Sequence, residues 1–376
     1  MLDQKKVFEC LAAHGVTYFT GVPDSYLNGF CNYALANCGD RNVITANEGN
    51  AVALAAGHYL ATTEIPLVYM QNSGEGNTVN PLASLVDKDV YATPMILLIG
   101  WRGQGNTEPN HPQHWRQGEI TTSILDILHI PYTVLADDNA ELEKTVEKAV
   151  AYCTETRGAY AFIAPKGLMA DPDKPNDVDD VYPMSREEAI EVILNHMPED
   201  TIYSATTGRA TRELFFLREK RCETKARDFL NVGSMGHASS VALGIALSRP
   251  KRKVVVLDGD SAAMMHMGAL TMVSKLDVPN FMHVVLNNGA HESVGGQPSA
   301  GHLLNWTAIA SACGYETVGH PVTTKKELLE AVEKLSACGK ASFIDCRIHK
   351  GLSRKLPPII FDHREAIDAL ITDLNK

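Results

Sequence analysis

The 376-residue sequence is short of several things, and each shortage closes off a class of function. No apolar run approaches the ~20 residues needed to span a bilayer, and the first fifteen residues lack the apolar core of a secretory leader, so neither a membrane span nor export is expected. Cationic residues are outnumbered, with 34 Lys and Arg against 45 Asp and Glu. The resulting net charge of −11 argues against a nucleic-acid partner, whose phosphates attract basic surfaces. A small anionic substrate stays possible, because a local basic pocket can exist on an acidic protein. The eight cysteines form no Cys-x-x-Cys pair and mostly fall inside helical or strand patterns, which reads as reduced structural thiols in a cytoplasmic protein.

What is present is ordinary globular composition, 45% hydrophobic and 21% charged, in a chain long enough for two domains. Short β-rich runs alternate with Ala- and Leu-rich helical patterns. Strands are expected at Val16–Thr20, Val43–Thr45, Pro66–Tyr69, Pro94–Ile99, Tyr132–Leu135 and Tyr160–Ile163, with the clearest helix at Glu48–Leu60. Residues 166–184, rich in Pro and Asp, break the pattern and read as a linker. The alternation restarts at Ser185–His196, where Ser185 and Glu188 have capping-box spacing. Strands follow at Thr201–Ser204, Asp228–Leu230, Val254–Leu257, Phe281–Leu286 and Ala341–Cys346. Helices are expected at Ala238–Leu247, Ala263–Leu276, Trp306–Cys313 and Lys325–Ser336. The expected fold class is α/β, two tandem parallel-sheet domains at 1–165 and 185–376, without a third central domain or a convincing internal repeat.

Two polar clusters stand out. Asp258-Gly259-Asp260 closes one apolar run, and Asn287-Asn288-Gly289 closes the next, with Asp260 and Asn287 27 positions apart. A crossover helix fits between them, so both clusters belong at C-terminal strand ends, where doubly wound sheets bind ligands. A carboxylate, an amide oxygen and a loop carbonyl are hard donors suited to Mg²⁺ or Ca²⁺ carrying a phosphate group.

This stretch resembles the diphosphate-binding motif of thiamine-diphosphate enzymes, with Ser261 where the motif has Gly. The resemblance implies Asp260, Asn287 and the Gly289 carbonyl as metal ligands, and Gly259 and Ser261 as cofactor contacts. Asn47-Glu48-Gly49-Asn50-Ala51 is similar to the family's pyrimidine-binding segment. That similarity makes Glu48 the glutamate beside the cofactor's aminopyrimidine ring. Gly21-Val22-Pro23-Asp24-Ser25 matches a Gly-x-Pro loop carrying a substrate-facing polar residue, Ser25 or its neighbour Asp24. Thr206-Thr207-Gly208 maps to a diphosphate contact, through Thr207 and Gly208. Gly233-Ser234-Met235-Gly236 maps to the loop that supports the cofactor's bent shape, with Met235 as the wedge.

The two-domain plan resembles that of phosphonopyruvate and sulfopyruvate decarboxylases. Because the halves of the latter are typically separate subunits, fusion favours the former. The resemblance implies Mg²⁺- and thiamine-diphosphate-dependent conversion of 3-phosphonopyruvate to phosphonoacetaldehyde and CO₂ in phosphonate biosynthesis. Sulfopyruvate, another 2-oxo acid, or a carboligating transfer are the alternatives. The loop Gly100–Gln117 concentrates Arg102, Gln104, His111, His114 and Arg116. His114 maps to a proton-transfer position, and Arg102, Gln104, Arg116 and His291 are candidate substrate contacts, with Arg354 and Lys355 as further cations. Family membership also implies a homodimer or higher oligomer with sites shared between subunits.

Overall fold

The computed structural model describes residues 1–106, 112–169, 181–351, 356, 359 and 361–376. Two compact units divide the chain, Met1–Lys174 with Ser293–Gln297, and Pro175–Glu292 with Pro298–Lys376. Among the described residues no helix is long and apolar enough to cross a membrane.

In the first unit six strands form one wholly parallel sheet: β1 (Phe19–Gly21), β2 (Asn42–Ile44), β3 (Leu67–Gln71), β4 (Ile96–Gly100), β5 (Tyr132–Val134) and β6 (Tyr160–Ala164). Their order is β2-β1-β3-β4-β6-β5. Helices α1 (Gln4–Ala13), α2 (Asn28–Asn37), α3 (Glu48–Thr62), α4 (Glu75–Pro81), α5 (Trp115–Ile127) and α6 (Asn139–Thr156) cover it. Successive side chains of a strand point to opposite faces. Ile96 and Leu98 of β4 accordingly pack with α1, α2 and α6, while Leu97 and Ile99 pack with α3 and α5. Both faces are dry, which is why these strands read as unbroken apolar runs.

The second unit repeats the plan with β7 (Ile202–Ala205), β8 (Asp228–Leu230), β9 (Val254–Gly259), β10 (Phe281–Asn287) and β11 (Ser342–Arg347) in the order β11-β10-β9-β7-β8, again all parallel. Val255 and Leu257 face α7 (Arg186–His196), α8 (Arg209–Lys220) and α12 (Lys325–Ser336). Val254 and Val256 face α9 (Ala238–Ser248), α10 (Asp260–Met265), α11 (Trp306–Ala312) and α13 (His363–Leu374). The capping box at α7 is formed in full: Ser185 Oγ accepts from Glu188 N and the Glu188 carboxylate accepts from Ser185 N.

In each sheet the chain leaves one strand for the edge and returns on its other side. That reversal places a crevice beside β1 and β3 in the first sheet, and beside β7 and β9 in the second.

One expected element is corrected. Ala263–Leu276 is not a single helix: α10 ends at Met265, His266 leaves the helical region at φ −130° and ψ 46°, and Met267–Lys275 winds as a 3₁₀ helix. Gly268 weakens helical continuity there, and the close approach of Gly236 to the His266 ring favours the break. The strand expected from Val16 begins only at Phe19, and α13 had no counterpart among the expected elements. Residues 170–180 of the linker lie outside the described residues, as do His111, Arg354 and Lys355.

Candidate active site

In the first unit, the turn after β2 opens α3. Asn47 is extended and its side chain accepts from Gly49 N at 2.7 Å, a helix N-cap that leaves Glu48 in the first turn. A carboxylate there would ordinarily point to solvent and be favoured as an anion by the helix dipole. Glu48 is instead 5% exposed. Asn77 Nδ2, from α4, donates to Glu48 Oε2 at 2.7 Å, and Gly74 lies so close that a Cβ there would overlap the carboxylate. Burial raises the Glu48 carboxyl above its ordinary value, against the lowering effect of the Asn77 hydrogen bond. A carboxyl whose neutral form is favoured by burial is suited to sharing a proton with a ring nitrogen.

Two residues before Asn77, the first residue of α4 is a second such group. Glu75 is 2% exposed, and neither of its oxygens finds a hydrogen-bond partner among the described residues. Burial pushes its carboxyl up to about 8. The Thr121 hydroxyl lowers it only in part, because its own hydrogen goes to the Gln117 carbonyl.

The loop after β4 is held by Asn72, which donates to the Arg102 carbonyl at 2.9 Å and accepts from Arg102 N at 3.2 Å. The Arg102 guanidinium lies 5.2 Å from the Tyr26 ring centre and 3.4 Å from Gln71 Oε1. This brings the Gly21–Ser25 loop beside the basic loop. Asp24 is fully buried, accepts from Tyr26 N at 3.1 Å and packs on Gly100, while Ser25 is half-buried. His114, half-buried, closes the turn before α5 with its carbonyl against Gly103, and Gln104 is half-buried in the same loop. Arg116 does not join them: its side chain is 81% exposed and pairs with Glu119 at 2.7 Å on the α5 surface.

In the second unit, β9 and β10 run in register, Leu286 opposite Gly259, so Asp260 and Asn287 emerge side by side. Asn287 Nδ2 is committed to the Gly301 carbonyl at 2.9 Å and to Asp345 Oδ1 at 3.0 Å, which turns its Oδ1 the other way. Gly301 lies against both Asp260 Oδ2 and Asn287 Oδ1, and any side chain there would collide with both oxygens. The two donors therefore converge on one point. Asp260 is 2% exposed, and burial pushes its carboxyl up to about 6, against Ser299 and nearby backbone amides that favour the anion. The ionised form is short of compensation, which a divalent cation would supply.

The surrounding loops fit a phosphate group as well. Thr206 Oγ1 and Ser261 Oγ are buried and find no hydrogen-bond partner among the described residues. Thr207, Gly208 and Gly259 flank them, half-buried. Gly289, at φ +65°, donates its N–H to Asn287 Oδ1 at 3.3 Å. Gly233 N donates to Asn231 Oδ1, Ser234 sits exposed at φ +47°, and Met235 is half-buried ahead of α9. His291 is buried, and its imidazole is pushed down to about 4, so it is a neutral hydrogen-bonding ring at pH 7 and not a cation. Among the described residues no three His, Cys, Asp or Glu side chains gather to hold a metal.

The sequence patterns did not single out Asn77, Glu75, Asp345 or Glu292. Of the glycines flanking Glu75, Gly74 is closely approached by the Glu48 carboxylate, whereas Gly76 borders open space.

Comparison with known proteins agrees with this geometry. Residues 4–126 match the N-terminal TPP binding domain of thiamine pyrophosphate enzymes, and residues 215–346 match the C-terminal TPP binding domain. Phosphonopyruvate decarboxylase of Streptomyces viridochromogenes is 32% identical over 360 residues, covering 91% of this chain and 87% of the relative. The Streptomyces hygroscopicus protein of that name is 31% identical, covering 93% and 88%. Sulfopyruvate decarboxylase of Methanosarcina acetivorans is 26% identical, covering 93% and 92%. Since that relative also spans both halves in one chain, fusion of the halves does not by itself separate the two groups. This chain belongs to the thiamine pyrophosphate enzymes, in the company of the phosphonopyruvate and sulfopyruvate decarboxylases.

Proposed function

We propose that this protein decarboxylates 3-phosphonopyruvate to phosphonoacetaldehyde and CO₂, with thiamine diphosphate and Mg²⁺, as a step of phosphonate biosynthesis. The bond between the 2-oxo carbon and the carboxylate breaks, CO₂ leaves, and a proton takes its place. Similarity to two phosphonopyruvate decarboxylases, 32% and 31% identical over 91% and 93% of the chain, is the observation that carries this choice of substrate. When bound, thiamine diphosphate supplies the electron sink for the pair left behind as CO₂ departs.

On this reading residues 1–165 bind the pyrimidine, 166–184 link, and 185–376 bind the diphosphate. Glu48 holds a proton at the pyrimidine ring, a role supported by its burial and by Asn77. Asp260, Asn287 and the Gly289 carbonyl hold Mg²⁺. Thr206, Thr207, Gly208, Gly259 and Ser261 meet the diphosphate, and Gly233, Ser234 and Met235 support the rings. His114 delivers the proton that replaces CO₂. Arg102, with Gln104 and His291, orients the substrate's anionic ends, and Asp24 and Ser25 shape the pocket; Arg116 is the weaker candidate because of its exposure. The working unit is a homodimer or larger, and eight unpaired cysteines suit a cytoplasmic location.

The test is CO₂ release from phosphonopyruvate, sulfopyruvate and pyruvate, with and without the cofactor and the metal. Preferred turnover of phosphonopyruvate that requires both supports the proposal. Preference for sulfopyruvate would keep the cofactor and discard the substrate, and a carboligated product in place of free aldehyde would make the protein a transferase.

A further inference from the structure

Glu292 lies three residues beyond Gly289 and is 11% exposed, yet it carries no role in the reaction described above. Its carboxylate gathers four donors. Arg186 Nη2, from the start of α7, and Arg209 Nη1, from the start of α8 at 2.9 Å, bring two guanidiniums. Asn288 Nδ2 donates at 2.9 Å, and the Gly351 amide donates from a separate loop. Arg209 Nη2 also reaches the Glu292 carbonyl at 3.3 Å. Glu213, 3.3 Å from Arg186, balances the second positive charge.

The sources of these donors matter more than their number. Arg209 directly follows Thr206-Thr207-Gly208, and Asn288 sits between Asn287 and Gly289. One carboxylate therefore ties together the two turns that would face the diphosphate and its cation. Stability alone is a weak reason for such an array, because buried ion pairs do little better than apolar residues of the same volume. Outer-shell groups that orient metal ligands, by contrast, strongly affect metal affinity.

We propose that Glu292 is a positioning residue that fixes the spacing of the Gly208–Arg209 and Asn287–Gly289 turns, and so holds Asn287 Oδ1 and the Gly289 carbonyl ready for the divalent cation. The proposal rests on the thiamine-diphosphate and Mg²⁺ reading above.

The test uses the full chain as wild type, Glu292→Gln and Glu292→Asp, with Asp260→Asn as a ligand-loss control. Thiamine diphosphate binding is followed by isothermal titration calorimetry over a series of Mg²⁺ concentrations, beside circular dichroism and melting of the cofactor-free protein. The Mg²⁺ concentration for half-maximal cofactor binding should rise about 10- to 100-fold in Glu292→Gln. Glu292→Asp, which keeps the charge, should recover part of that loss. If Glu292→Gln does not fold, Arg209→Gln loosens the same tie and should shift the Mg²⁺ dependence in the same direction. A lower melting temperature with unchanged Mg²⁺ dependence would overturn the proposal and leave Glu292 a structural ion pair. A wild type that binds no thiamine diphosphate would instead sink the cofactor reading itself.

Discussion

Glu75 allows the sharpest calculation. Its carboxyl is buried beside Gly74 and Gly76 with no partner for either oxygen among the described residues, and it is raised from an ordinary 4.5 to about 8. Between those values the folded chain holds a proton that the unfolded chain has released, so stability falls as pH rises, by about 1.4 kcal/mol per unit. The contribution is fully present below pH 4.5 and is lost progressively until the folded carboxyl itself ionises near 8. At pH 7 the accumulated cost is about 3 kcal/mol. Glu75→Gln removes it, since the amide has nearly the same shape and needs no proton. Both neutral side chains leave polar atoms unpaired, so that penalty is common to the two proteins. Urea unfolding from pH 5 to 8.5 should show the variant little different at the acid end. Its advantage should grow to about 3 kcal/mol by pH 7 and level off above 8. Parallel stability curves for the two proteins across that range would refute the reasoning.

Other expectations follow from the same contacts. Glu48→Gln should cut turnover about 10²- to 10⁴-fold with an unchanged circular dichroism spectrum; near-normal turnover would remove Glu48 from the chemistry. Gly301→Ala puts a methyl group against Asp260 and Asn287, and should raise the Mg²⁺ requirement about tenfold or more while the sheets stay intact. Chelation should abolish turnover of the wild type and Mg²⁺ should restore it, as a direct assay will show. Arg102→Ala should lower kcat/KM for phosphonopyruvate about tenfold or more, whereas Arg116→Ala, losing only a solvated pair with Glu119, should change it little; the reverse order would place the substrate elsewhere in the loop.

The sheets were largely legible because both of their faces are dry. A strand buried on two sides must be apolar throughout, so Val254–Leu257 and Phe281–Leu286 announce themselves, and the turns that end them carry the polar groups. Capping chemistry was legible for a similar local reason: Ser185 and Glu188 satisfy each other within a single turn. The structure shows a second such box, Thr324 with Glu327, at the start of Lys325–Ser336, which the sequence reading did not single out. The break at His266 was not legible, since the lone local sign, Gly268, is joined by a tertiary approach of Gly236 that no local pattern contains. Glu292 illustrates the wider limit. Three of its four donors lie 106, 83 and 59 residues away along the chain, and an isolated glutamate in a polar loop carries no mark of the arginines folded onto it. Glu75 was hidden differently, because a charged residue between two glycines has the composition of an exposed turn.

The strand inventories carry an implication for ancestry and engineering. β1–β6 all come from residues 19–164 and β7–β11 all from 202–347, with no strand of either main sheet borrowed from the other stretch. A backbone cut between Ala164 and Ile202 would sever no hydrogen bond in either sheet. One gene could thus be divided into two, or two joined into one, with the strands of each sheet kept together. The shared strand order, in which β8-β7-β9-β10-β11 answers β2-β1-β3-β4-β6, is what duplication of a single ancestral module would leave behind after sequence similarity had faded.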